Sequence, residues 1–191
     1  MYRRTLGALL IAGGLLLVGC SAPSPAIQDN PQTQPEAETS WPGWYRADTP
    51  LQTTGSGGWT LHAAALGADS ARAASAALQH ARKNLSSQLS EQLEQVRRSV
   101  ASTEAAKDTG VAESSFVMAL RKAERELGAL AERERTEAQL SDEASSWRAF
   151  VEVRMDKQVL TRHLEQALSS HATAWQALRG SDGYRLWGAG G

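Results

Sequence analysis

Apolar residues along this chain follow two different periods. From Trp59 to Leu66 they alternate: Trp59, Leu61, Ala63 and Ala65 share one face, and Thr60, His62, Ala64 and Leu66 the other. That is the two-residue period of a strand. The loop Gly55-Ser56-Gly57-Gly58 precedes it and Gly67 breaks it. From residue 70 to about residue 105 the period becomes helical, with Leu78, Ala81, Leu85, Leu89, Leu93, Val96 and Val100 at steps of three and four. Asp69 or Ser70 is placed to cap this helix. Its first half holds Ala71, Ala73, Ala74, Ala76 and Ala77, small enough for close approach to a sheet or a second helix. Lys107-Asp108-Thr109-Gly110 reads as a break. Residues 112 to about 140 read as helix again, with Val117, Leu120, Leu127, Leu130 and Ala131 on one face. The run Glu132-Arg133-Glu134-Arg135-Thr136-Glu137 alternates in sign and reads as that helix's solvated surface. Heptad register is not sustained, so the pair reads as a helical hairpin.

Trp147 to Met155 returns to alternation. Trp147, Ala149, Val151, Val153 and Met155 face one way, and Arg148, Phe150, Glu152 and Arg154 the other, with Phe150 the single misfit. One buried and one wet face suit an antiparallel sheet. Asp156 can cap a last helix carrying Leu160, Leu164, Ala167, Leu168, Trp175 and Leu178, which Gly180 ends. Ser181 to Gly191 reads as a glycine-rich tail in which Tyr184 to Trp187 adds a short edge strand. The expected fold is α+β: a small antiparallel sheet packed by helices, with a long helical hairpin. Two strands make a marginal sheet, so a third strand, strong helix packing or a homo-oligomer is also expected.

The first 40 residues carry a different pattern. Met1-Tyr2-Arg3-Arg4 is a short cationic start, and Leu6 to Val18 is an apolar run of 13 residues. A bilayer span needs about 20 residues, so the run fits a signal-peptide core instead. It ends in Leu17-Val18-Gly19-Cys20, which resembles the lipobox of bacterial lipoproteins. The resemblance implies that the Cys20 thiol is diacylated, that residues 1–19 are removed, and that the new N-terminus is acylated again. Ser21 follows the cysteine, and by the same resemblance a residue other than Asp there favours the outer membrane. The expected location is the outer membrane with the domain facing the periplasm, surface exposure remaining open. Several acyl chains, at about 0.8 kcal/mol per buried methylene, make an anchor stable where one does not. Residues 20–40 contain Pro23, Pro25, Pro31 and Pro35 among polar residues and read as a disordered tether. At about 3.1 Å per residue in extended form it reaches roughly 60 Å.

Composition narrows the chemistry. A single domain of about 140 residues, 41–180, remains for folding, enough to bury a core without disulfides. The formal net charge is −1, and losing Arg3 and Arg4 with residues 1–19 leaves −3. Nothing in that balance suits nucleic acid, which wants a basic surface. Cys20 is the one cysteine, so once it is acylated no thiol remains for a metal or a nucleophile. His163 and His171 stand eight apart rather than four, and no clustered ligand set appears; no metal or other cofactor is expected. Ser86 and Ser87 lie inside a helix and not on a Gly-x-Ser-x-Gly elbow. Residues 55–58 lack the Gly-Lys-Ser/Thr end of a phosphate loop. Paired carboxylates such as Glu124 and Glu126 read as exposed helix charge. A non-catalytic role is therefore expected.

Trp41-Pro42-Gly43-Trp44-Tyr45 is an aromatic cluster around a turn. It reads as an N-terminal lid on the core, with Trp41, Trp44 and Tyr45 the candidate contact surface for membrane, peptidoglycan or partner. This entry segment, the strand running into a helix with Ala73, Ala77, Ala81, Arg82, Leu85, Leu89 and Leu93, and the strand Trp147-Arg148-Ala149-Phe150-Val151-Glu152-Val153-Arg154-Met155-Asp156 together resemble the LPP-twenty type lipoproteins over roughly residues 41–170. That family includes outer-membrane lipoproteins associated with flagella. It carries more strand in its middle part than residues 112–140 promise here. The resemblance implies a lipid-anchored binding or structural protein, with an envelope protein, flagellar ones included, as partner. It implies no catalytic residues. Activation of a peptidoglycan synthase and envelope hydrolysis are the alternatives.

Overall fold

The computed structural model describes residues 41–47, 51–141 and 145–189. Cys20, Leu17, Val18 and Gly19, with the whole signal and tether, lie outside the described residues. Strands β1 (Gln52–Thr53) and β2 (Gly58–Gly67) lead into helix α1 (Ser70–Ala101). The helices α2 (Ser114–Glu124) and α3 (Leu127–Leu130) follow, then β3 (Glu132–Leu140), β4 (Trp147–Asp156) and the helices α4 (Lys157–Ala167), α5 (Ala172–Gly180) and α6 (Asp182–Leu186). The four strands form one antiparallel sheet in the order β1-β2-β4-β3, and the fold is α+β.

The central pair β2–β4 is in the register its alternation demands. Trp59 faces Met155, Leu61 faces Val153, Ala63 faces Val151 and Ala65 faces Ala149, so the two apolar rows share one face. Helix α1 covers that face with Ala73, Ala77, Ala81, Leu85, Leu89 and Leu93, all fully buried. The alanine half lets the helix start tight against the sheet. A Cβ at Gly67 would stand 2.4 Å from the Ala73 backbone nitrogen, so glycine is required at the corner between β2 and α1. Asp69 caps α1 by accepting from the Arg72 N–H at 2.7 Å, and Asp156 caps α4 by accepting from the N–H groups of Gln158 and Val159.

Three expectations are corrected. The return arm of the helical hairpin is short: helix occupies Ser114–Glu124 and Leu127–Leu130, and 132–140 is strand. The charged run that read as helix surface is the edge strand β3, exposed at every position from Glu132 to Glu137. An edge strand wet on both faces has no apolar period to betray it, and alternating charge is a common guard against edge-to-edge pairing. A register shift between Arg133 and Arg135 bends the edge further. Secondly, the last helix is not continuous: it breaks at Leu168 into a 3-10 turn, Ser169–His171, before α5. The break keeps Leu160, Leu164 and Leu168 in the core and re-aims Trp175 and Leu178 into it as well.

Thirdly, the domain does not stop at residue 180. Asp182–Leu186 is helix, with Trp187 its C-cap and no edge strand there: the Ser181 hydroxyl accepts from the Tyr184 N–H at 3.2 Å and starts α6. Tyr184 is 3% exposed and Trp187 7%. The Trp187 ring lies 4.6 Å from that of Trp59, and its indole N–H donates to Gln92 Oε1 at 2.9 Å. The Lys157 ammonium donates to the main-chain carbonyls of Tyr184, Arg185 and Trp187, where the helix end presents unpaired acceptors.

A charge cluster centred on the buried Arg97, with the half-buried Glu94 as its partner, holds the return arm on α1. Arg97 donates twice to Glu94, at 2.6 and 2.8 Å, and once to the Val111 carbonyl at 3.1 Å. Hydrogen bonding from Arg97 holds the Glu94 carboxyl down at about 2. Glu124 on α2, which reads in sequence as exposed helix charge, is instead buried nearby, and its Oε1 has no hydrogen-bond partner among the described residues. Burial, and then the charge of Glu94, push it up to about 7 from the usual 4.5. A carboxyl raised on folding stabilises fully below its unfolded value and loses that contribution as pH climbs through its folded value. The protein is therefore expected to lose stability between pH 5 and pH 8. Glu124→Gln flattens that slope and gains about 1–3 kcal/mol at pH 8. Urea unfolding across that pH range reads the effect.

Candidate functional site

The aromatic entry segment packs on the sheet, but on the face opposite α1. The Tyr45 N–H donates to the Pro42 carbonyl at 2.8 Å and closes the turn; Pro42 is buried and Trp44 and Tyr45 half-buried. The Tyr45 ring meets that of Phe150 at 4.7 Å, and Trp41 stands 6.4 Å from the same ring. This accounts for the misfit in the alternation of β4, because Phe150 points to the outer face and is buried there beneath the lid. Trp44 and Tyr45 also cover His62, at 5.7 and 6.0 Å. His62 Nε2 lies 3.0 Å from Glu152 Oε2 across the β2–β4 pair. The Trp44 indole N–H donates to Glu137 Oε2 on β3 at 3.3 Å. The segment thus fastens three strands together on a face that would otherwise be wet. Trp41, 46% exposed, is the most exposed of the segment's three aromatic residues, and it adjoins the end of the tether in sequence.

A second feature was not legible in the sequence. A cleft of about 560 Å³ opens between the β1–β2 turn and α4, α5 and α6, lined among others by Lys157, Thr161, Arg162, Arg179, Tyr184 and Arg185. These side chains come from three helices separated by breaks that spacing alone does not place. The one local signal is Lys157 and Thr161, one turn apart on α4, with Arg162 beside Thr161. The Thr161 hydroxyl donates to the Lys157 carbonyl at 2.7 Å, so in its 2.9 Å contact with Tyr184 the phenol is the donor. Burial pushes the Tyr184 phenol up to about 12 and lowers the Lys157 ammonium from its usual value.

Lys157 is occupied by carbonyls, Thr161 by the main chain, and Ser56 Oγ accepts from Arg154 at 2.8 Å. None of these hydroxyls or amines meets, among the described residues, a base that would turn it into a nucleophile. Among the described residues no group of three or more His, Cys, Asp or Glu is arranged to hold a metal ion, and no helix is long and apolar enough to cross a membrane. No protein-family model, curated protein or solved structure matches the chain.

Proposed function

We propose that this chain is a lipid-anchored protein of the bacterial outer membrane whose periplasm-facing domain works by binding and not by catalysis. One observation carries the reading: a cationic start, a 13-residue apolar run, small residues and Cys20 follow one another in the order of a lipoprotein signal. The anchor confines the domain to a surface and so raises its effective concentration for neighbours there. The half-exposed Trp41, next in sequence to the tether, supplies an amphipathic contact at the point where the domain begins. An envelope protein, a flagellar one among the candidates, is the partner this reading implies.

Substituting Cys20 tests it. With Cys20→Ser the protein is expected to lose its lipid and its place in the outer-membrane fraction, and to run larger with its signal uncleaved, since both acylation and lipoprotein cleavage require the thiol. Fractionation with immunoblotting reads location and size together. Unchanged membrane retention at unchanged size would remove the basis of the proposal.

A further inference from the structure

We propose that the cleft between α4, α5 and α6 is a binding site for a phosphate-bearing anion. The chain as a whole is mildly acidic, with 20 cationic and 21 acidic side chains. Yet four of those cations, Lys157, Arg162, Arg179 and Arg185, line this one concavity against a single carboxylate, Glu165. A concave surface lined by one sign of charge concentrates the opposite ion. The volume of about 560 Å³ is that of a small-molecule site.

The four cations differ in what they already do. Lys157 is the fixed charge of the floor: its partners are the neutral carbonyls of Tyr184, Arg185 and Trp187, so they orient the ammonium without neutralising it. It also sits 5.5 Å from the centre of the Tyr184 ring. The arginines are the adjustable part. Arg179 pairs with Glu165 at 3.2 Å and Arg185 with Asp182, both at exposed positions, and exposed pairs of this kind exchange partners at little cost. Arg162 makes no hydrogen bond or ion pair with any described residue. Three guanidinium forks therefore approach one space from three helices. A carboxylate offers two oxygens in a plane, which one fork satisfies, whereas a tetrahedral phosphate accepts from several directions at once. Ser56 stands at the cleft's rim, where its oxygen accepts from Arg154 and lies 3.4 Å from the Thr54 hydroxyl. The phosphate belongs either to a soluble ligand or to a lipid headgroup.

The test uses the mature chain carrying Cys20→Ser, so the lipid anchor is neither needed nor in the way. Sodium phosphate is titrated at constant ionic strength while backbone amide shifts are recorded. The same protein is sedimented with phosphatidylglycerol vesicles, with phosphatidylcholine vesicles as baseline. Shifts are expected at Ser56, Gly57, Gln158, Thr161 and Arg185. Arg162→Gln is expected to weaken binding about tenfold, the effect of one lost charge-assisted hydrogen bond. Arg72→Gln, in the first turn of α1 beyond the far end of β2, leaves it unchanged. Binding of free phosphate alone identifies a soluble ligand; vesicle retention that free phosphate competes away identifies a headgroup. The proposal is overturned if neither probe engages the cleft, or if Arg162→Gln weakens binding no more than Arg72→Gln does.

Discussion

Ending the chain after Gly180 is expected to abolish cooperative folding, although it removes only what reads in sequence as a glycine-rich tail. The loss falls on both sides of the cut. Tyr184 and Trp187 leave the core, where their rings form a continuous file with Trp59 and Trp175 at 4.6 to 5.4 Å. Trp59 loses its cover, Gln92 loses the indole donor, and the Gly58 N–H loses the Gly188 carbonyl at 3.1 Å. Lys157 is left without its three acceptors. Removing one buried aromatic side chain costs about 3–5 kcal/mol, so two such losses approach the whole of a typical domain's stability of about 5–15 kcal/mol. Thermal unfolding followed by circular dichroism reads this directly. A chain ending at Ala189 should keep a sharp transition, and one ending at Gly180 should show none. A sharp transition near the full-length midpoint in the shorter chain would mean that α6 is not part of the core.

Arg97→Met is the second large effect, expected at about 3–5 kcal/mol of lost stability. The substitution keeps an apolar stem on α1 and removes the head that joins Glu94 to the Val111 carbonyl. Glu94 then keeps only Arg98, an exposed partner, and the carbonyl at the start of the return arm is unpaired. Most of the cost is the stranded carboxylate, not the value of the pair itself. The double substitution Arg97→Met with Glu94→Met is therefore expected to recover more than half of the loss, because an apolar pair of similar volume substitutes well for a buried ion pair. Urea midpoints of the two variants decide it. A single-variant loss below about 1 kcal/mol, or a double variant weaker than the single one, would show that the cluster does not hold the arm.

The two central strands and α1 were legible because each buries one face and leaves the other wet, and that contrast is what periodicity detects. Asp69 and Asp156 were legible as caps for the same local reason. What escaped was structure specified by something other than an apolar period. Strand β3 is bounded by its neighbour's hydrogen bonds and carries charge on both faces. Helix α6 is only five residues long, and its two aromatic anchors sit among glycines that suggest a loop. Phe150 was visible as an exception, and Trp41, Trp44 and Tyr45 as a cluster. Only the fold shows that these belong together on the outer face. The cleft escaped because three separate helices supply it, and convergence across chain breaks leaves no spacing to read.

The lipid at residue 20 bears most directly on the whole account. Mass spectrometry of the protein extracted from membranes should give a mature chain beginning at Cys20, heavier than the bare polypeptide by a thioether-linked diacylglyceryl group and an amide-linked acyl chain. An N-terminal peptide that begins upstream of Cys20, or that carries this cysteine with a free thiol, would contradict it.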